Sequence, residues 1–275
     1  STKSSSVDES EISHFNALAA SWWDPNGSSR ILHAMNPIRQ DFIKRCRSLY
    51  PPPGYSHQSK LHYLDIGCGG GIFAESAARL RDTASVTAID PSPEVLAVAK
   101  QHARRDPLLL EPGRLTYLNT SIEGLAETLE AQGVVQQDRQ YDIVTLFEVL
   151  EHVAYPSSFL EKMLPYVKPG GWLVLSTISR TWPAWFVTKF MAEEVLKMVP
   201  RGTHEWEKYV KPDELRQWFR KLDGQGEEEL GRLGRWSEPV VMEVMYVPGL
   251  GWREVGGGGK GIEGLGNYFF GVRRE

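Results

Sequence analysis

Glu148, Glu151 and His152 fall within five positions of "TLFEVLEHV" (145–153), straight after an apolar run that ends at Phe147. Where a helical turn begins, positions i, i+3 and i+4 share one face, so two carboxylates and an imidazole can converge on one point. Three uses fit such a set. The carboxylates can cap backbone groups while His152 bonds within its turn. His152 can act as general base toward a substrate hydroxyl. Or all three can hold a divalent cation; magnesium prefers oxygen ligands, so the imidazole suits manganese or zinc at least as well.

A second group lies in "LDIGCGGG" (64–71), where an apolar strand pattern runs into Gly67, Gly69, Gly70 and Gly71 and then into a helical pattern. Backbone without Cβ atoms at a strand's carboxyl end lets a ligand approach closely. The dinucleotide fingerprint requires glycine at the sixth motif position, which here holds Ile72, so a nicotinamide cofactor is disfavoured. Asp90 closes the next strand, about 20 residues beyond the glycines, where an acidic group accepts the ribose hydroxyls of an adenosine ligand. Its competing use is to cap the helix that follows.

The elements that position these groups can be read from periodicity. From residue 61, "LHYLDIG", "SVTAID", "RLTYLNT", "YDIVTLF" and "GWLVLSTI" have strand patterns, separated by the helical patterns "GIFAESAARL", "PEVLAVAKQHAR", "SIEGLAETLEAQG" and "SSFLEKMLPYV". Such alternation predicts an α/β fold: a doubly wound, mostly parallel sheet with helices on both faces. Phe147 then ends the fourth strand at the carboxyl edge, where such sheets bind ligands. The tail "VVMEVMYVPGLGWREV" and "GNYFFGVRR" predicts two further strands, seven in all, the last antiparallel at the edge. Upstream, "EISHFNALAASWWD" predicts a short helix, and "NPIRQDFIKRCRSLY" a second with Asn36 as N-cap and Pro37 at the first helical position.

The chain thus divides into a tail with lid helices (1–60), an α/β core (61–179), a helical cap (180–220) and C-terminal strands that complete the sheet (221–275). In the cap, Val187, Phe190, Met191, Val195 and Met198 share a helical face, as in any helix packed on a core. Trp182, Trp185 and Phe186 at its start suit an anchor leaning into a membrane surface equally well.

Composition narrows the classes. The 275 residues are ample for one sizeable domain with an elaboration. A net charge of −4 offers no bulk attraction for nucleic acid, which is not expected as a partner. Cys46 and Cys68 stand apart with no companion at metal-ligand spacing, which fits a reducing compartment. No apolar run reaches the roughly 20 residues of a bilayer span. The start "STKSSSVDES" has no apolar signal core and lacks an initiator Met, so it reads as a processed or trimmed product, with any import presequence already gone.

"LDIGCGGG", "AIDPS", "YDIVTLFEVLEHV" and "VKPGGWLVLST", in that order, resemble the class I S-adenosylmethionine-dependent methyltransferases. "SWWDPNG", "LHAMNPIR", "GIFAESAARL" and "LKMVPRGTHEWEKYVKPDELRQW" are similar, more specifically, to the ubiquinone-biosynthesis O-methyltransferases of bacteria and mitochondria. The inserts "DPLLLEPGR", "DGQGEEELGRLGRWSE" and "GGGGKGIEGLG" depart from the compact bacterial pattern.

The resemblance implies that Gly67 and Asp90 bind S-adenosylmethionine, with Phe147 on the adenine side and Arg39 of "NPIR" reaching the cofactor from the N-terminal helix. A methionyl carboxylate would give a buried Arg its partner. It also implies that Glu148, Glu151 and His152 hold a divalent cation, magnesium first, with Glu151 and His152 catalytic. The substrate would be a polyprenylated catechol or hydroquinone. Implied as well are a ubiquinone-biosynthesis complex and peripheral contact with the matrix side of the mitochondrial inner membrane. The sequence displays the cofactor site better than the chemistry, so a non-catalytic cofactor-binding subunit and a methyltransferase for another small phenol remain the alternatives.

Overall fold

The computed structural model describes residues 16, 19–24, 26, 27, 29–50, 60–135, 139–177, 210–223, 233–247, 249–255 and 267–275. Five strands run parallel in the order expected of a doubly wound sheet: β1 (Leu61–Ile66), β2 (Thr83–Asp90), β3 (Leu115–Asn119), β4 (Tyr141–Phe147) and β5 (Val167–Thr177). Three more follow, β6 (Val240–Val247), β7 (Gly251–Glu254) and β8 (Asn267–Arg273), and the sheet order is β3-β2-β1-β4-β5-β8-β6-β7. The order reverses between β1 and β4, which opens a crevice at their carboxyl ends.

Two sequence expectations change here. Among the described residues the sheet has eight strands, not seven, because "VVMEVMYVPGLGWREV" folds back on itself as the antiparallel pair β6 and β7. Gly249 and Gly251 take φ of +82° and +77° at that reversal, and Leu250 N–H donates to Val247 O at 3.0 Å. The last strand is antiparallel as expected but is not the edge: β8 lies between β5 and β6, and β7 is the edge.

Period-2 alternation sends one set of strand residues to each face. Tyr63, Ile143, Phe147, Val174 and Phe269 pack with α1 (Arg30–Leu49), α2 (Ile72–Ala78) and α3 (Pro93–Ala103). Leu64, Val144, Leu175 and Phe270 pack with α4 (Leu125–Ala131), α5 (Pro156–Met163) and α6 (Pro212–Asp223). Helix α1 begins six residues before Asn36, so Asn36 is no cap and Pro37 sits inside the helix, on its exposed side. Proline there leaves the carbonyl of residue 33 without its helical donor, tolerable where water can replace it. Helix α1 is also built into one face of the sheet: Met35, Phe42, Ile43 and Cys46 are buried in the core.

The insert "DPLLLEPGR" ends in a structural residue. The Arg114 guanidinium is buried and donates to Ala78 O at 2.6 Å, Leu80 O at 2.7 Å and Thr83 O at 2.5 Å, closing the connection from α2 to β2. Residues 178–209, with Trp182, Trp185, Phe186 and the expected apolar face Val187 to Met198, lie outside the described residues. So do the first fifteen positions, together with 17 and 18, on which the expectation of a short N-terminal helix falls.

Candidate active site

The glycine turn is fixed from beneath by β2. Gly67 and Cys68 N–H both donate to Ile89 O, at 2.9 and 3.0 Å, and Gly69 N–H donates to Asp90 Oδ2 at 2.9 Å. Asp90 Oδ1 accepts from Ser92 N–H at 2.9 Å, while Ser92, not Asp90, caps α3 by accepting from Val95 N–H. Burial pushes the Asp90 carboxyl up, and the Ser92 and Gly69 amides pull it back. Asp90 therefore holds the turn, and each oxygen keeps further lone-pair capacity toward the crevice.

Gly69 has φ +53°, and a Cβ there would strike the Trp22 ring, which lies on the turn. Trp23 Nε1–H donates to Gly70 O at 2.9 Å, and its ring stacks on His102 at 3.4 Å between centroids. His33 Nε2–H donates to Trp22 O at 2.8 Å. In the sequence the two tryptophans read as a helix end and as part of the "SWWDPNG" resemblance, with no role at the site; their signal was a bulky pair next to a Pro/Gly break. Gly71, at φ +83°, abuts the Tyr117 hydroxyl and Ala99 Cβ. Gly71→Ala adds a strained backbone to a clash with a buried ring. An expected loss of about 3 kcal/mol in urea unfolding follows.

On the α1 face of the sheet, beside the turn, sits a buried charged group. Arg39 is 4% exposed, and its guanidinium carbon lies 4.8 Å from the centre of the Phe147 ring. Burial lowers its pKa, while Glu148 and Asp65 raise it. Asp65, on β1, accepts from Thr145 Oγ1 at 2.7 Å, and burial pushes its carboxyl up to about 7. Arg39 Nε and Asp65 Oδ2 are buried with no hydrogen-bond partner. The Phe147 ring is buried under Arg39 and against Phe73. Asp65 and Thr145 were missed in the sequence because a strand interior reads as core.

Glu148 leaves β4 with φ +56°, the one described non-glycine residue in the left-handed region. Strain of this kind persists where surrounding bonds determine it: Glu148 N–H donates to Ser176 O at 3.1 Å, and Ser176 Oγ donates to Glu148 Oε1 at 2.6 Å. Thr177 Oγ1 donates to Glu151 Oε2 at 3.0 Å, and Glu151 Oε1 is buried without a partner. Burial first, then Glu148, pushes the Glu151 carboxyl up to about 8, and His152 draws it back.

The expected cation set does not form. Among the described residues no three His, Cys, Asp or Glu side chains are grouped so as to hold a metal ion. Leu150–His152 is a single 3-10 turn, and Glu148 lies outside it in a different backbone region, so i, i+3 and i+4 do not share a face. The two carboxylates bond to Ser176 and Thr177, consecutive strand residues that point to opposite faces of the sheet. Among the described residues, Glu148, Glu151 and His152 as arranged do not make a divalent-ion site; each carboxylate accepts from its own hydroxyl, Glu148 from Ser176 and Glu151 from Thr177.

A parallel sheet with a glycine turn after β1 and an acidic residue ending β2 defines a class I methyltransferase architecture, and a methyltransferase-domain family model matches residues 31–225. The fold is shared with the plantazolicin methyltransferase BpumL in complex with SAH, at TM-score 0.56 and 14% identity over 97% of each chain. It is also shared with the chain of the DhpI-SAM-HEP complex, at TM-score 0.51 and 18% identity over 99% of this chain and 100% of that one. More narrowly, the chain belongs to the ubiquinone biosynthesis O-methyltransferases. It is 40% identical to the mitochondrial member from Candida albicans over 98% of this chain and 86% of that one. The mitochondrial member from Schizosaccharomyces pombe is 47% identical over 78% and 72%. That of Actinobacillus pleuropneumoniae serotype 5b is 38% identical over 82% and 88%.

Proposed function

We propose that this chain methylates a phenolic oxygen of a polyprenylated catechol or hydroquinone in ubiquinone synthesis, with Glu151 as the base. Family membership supports the reaction. The observation that carries the role of Glu151 is its buried, unpartnered Oε1 on a carboxyl pushed up to about 8. A phenol has a pKa near 10, by analogy with Tyr, so a base of about 8 can take its proton at modest cost. When bound, S-adenosylmethionine supplies an electrophilic methyl, which the acceptor oxygen displaces from sulfur.

The chain's own groups do the rest. Arg39 Nε and Asp65 Oδ2, a buried donor and a buried acceptor without partners in one electrostatic neighbourhood, suit the zwitterionic end of an amino acid. Asp90 faces the ribose, and Thr177 holds Glu151 so that Oε1 takes the phenolic proton as the oxygen bonds to carbon. His152 stands beside Glu151 and stabilises its anion.

The direct test is calorimetry with S-adenosylhomocysteine, followed by methyl transfer to a prenylated catechol. Binding without transfer to any phenol would leave a non-catalytic cofactor-binding subunit. Asp90→Ala is expected to weaken S-adenosylhomocysteine by roughly 2 kcal/mol through lost charge-assisted bonds; unchanged affinity rejects its role. We further place the chain on the matrix face of the mitochondrial inner membrane, within a biosynthetic complex, since its fungal relatives are named as mitochondrial and its substrate class is lipidic. No helix among the described residues is long and apolar enough to cross a membrane. Replacing Trp182, Trp185 and Phe186 with Ser should therefore release the protein from anionic liposomes in a sedimentation assay. A native protein that stays in the supernatant rejects membrane contact.

A further inference from the structure

Among the described hydrogen bonds, Arg39 has one side-chain partner, Asn36, whose other end is tied to the helix that follows the glycine turn. Asn36 Oδ1 accepts from Arg39 NH1 at 3.2 Å, and Asn36 Nδ2 donates to the carbonyl of Ile72, the first residue of α2, at 2.9 Å. A side-chain amide carries a carbonyl oxygen and an NH2 group on one rigid plane, so Asn36 accepts from the guanidinium and donates to the Ile72 carbonyl at once. From one turn earlier on α1, it fixes the height of the guanidinium against α2, which starts at Ile72.

The Phe147 ring fixes the guanidinium from another side. What remains is a buried Nε without an acceptor. A buried guanidinium is costly unless its donors are met, and its bond to Asn36 is to a neutral group, so Glu148 and Asp65 support its charge only through space.

We propose that Asn36 is a positioning residue for the amino-acid end of the cofactor: it couples Arg39 to the glycine turn so that the guanidinium meets the ligand's carboxylate without being neutralised beforehand. This rests on the reading that Arg39 binds that carboxylate. A purely structural Asn36 would tie α1 to α2 and influence every ligand of the crevice alike. A positioning Asn36 acts only through Arg39.

The test compares two ligands by calorimetry on the full chain, S-adenosylhomocysteine and methylthioadenosine, which keeps the adenosine and the sulfur but lacks the amino-acid end. Arg39→Ala should weaken the first by roughly a hundredfold and leave the second within about twofold. Asn36→Ala should weaken the first by roughly tenfold, again sparing the second. Asn36→Asp keeps the acceptor but places a carboxylate on Arg39, and should weaken S-adenosylhomocysteine more than Asn36→Ala does. In Arg39→Ala, adding Asn36→Ala should change nothing further.

If Arg39→Ala weakens both ligands equally, the reading of Arg39 fails. If Arg39→Ala discriminates between them but Asn36→Ala weakens both equally, or neither, the coupling is overturned while Arg39 stands. An equal loss in the presence and absence of Arg39 overturns it as well.

Discussion

Glu151→Gln is expected to lower kcat for methyl transfer by roughly 10²- to 10³-fold, the scale of a lost general base, while S-adenosylhomocysteine affinity stays within about twofold. The carboxyl is pushed up to about 8, so in the native protein it is mostly protonated at neutral pH, and the rate should climb as pH rises toward that value. The climb should disappear in Glu151→Gln. Asp65, pushed up to about 7, also titrates nearby, but it remains in the variant, and any pH dependence left there belongs to it.

Stability carries the same sign information. A carboxyl whose folded pKa lies above its ordinary value near 4.5 holds its proton more tightly folded than unfolded. Its stabilising contribution is complete below that value and is lost as pH rises to about 8. Glu151→Gln should flatten that loss in urea titrations. Activity that resists EDTA is expected alongside, since among the described residues no group of side chains forms that could hold a metal ion. Abolition by chelation with full rescue by magnesium, together with a flat pH profile, would reject the base and restore the cation.

Arg114→Met should be the most destabilising single change among the polar residues, by about 3 kcal/mol or more. The methionine fills the volume but leaves the carbonyls of Ala78, Leu80 and Thr83 without their donor. A buried acceptor stripped of its partner costs about 1–3 kcal/mol, and partial entry of water offsets some of the total. The measurement is the urea midpoint at unchanged slope. A loss below about 1 kcal/mol would mean that this turn relaxes and that Arg114 is incidental. Lysine, with one ammonium in place of a fork, should rescue little.

The five parallel strands were legible because each is an apolar run bounded by a helical period, a pattern set by local burial on both faces. The β6–β7 reversal was not, since either half of "VVMEVMYVPGLGWREV" satisfies a strand pattern and only pairing decides where it folds. The position of β8 is a choice among sheet edges that no local pattern encodes. Asn36 misled for a related reason: Asn before Pro is a sound helix start, yet the helix begins at Arg30, and Asn36 is spent on contacts 36 residues away. At the site, the glycines and Asp90 stood out because their chemistry is local to a turn. The ion set failed because its geometry depends on which way Ser176 and Thr177 face, a property of the fifth strand that the fourth strand's sequence does not contain.

The placement of β8 between β5 and β6 dictates the order in which the protein can assemble. Asn267–Arg273 is made after both strands it joins, so β5 ends the growing sheet and shows an apolar edge through Trp172, Val174 and Leu175 until that segment arrives. The Arg45–Glu254 and Trp252–Ile31 contacts, 209 and 221 residues apart in sequence, close in the same late step. A sheet completed by such distant partners folds slowly, and until then its open edge is a template for any passing strand. A chain of this design profits from keeping that edge unpaired until its last strand is present, since any earlier partner on β5 takes the place that β8 must fill.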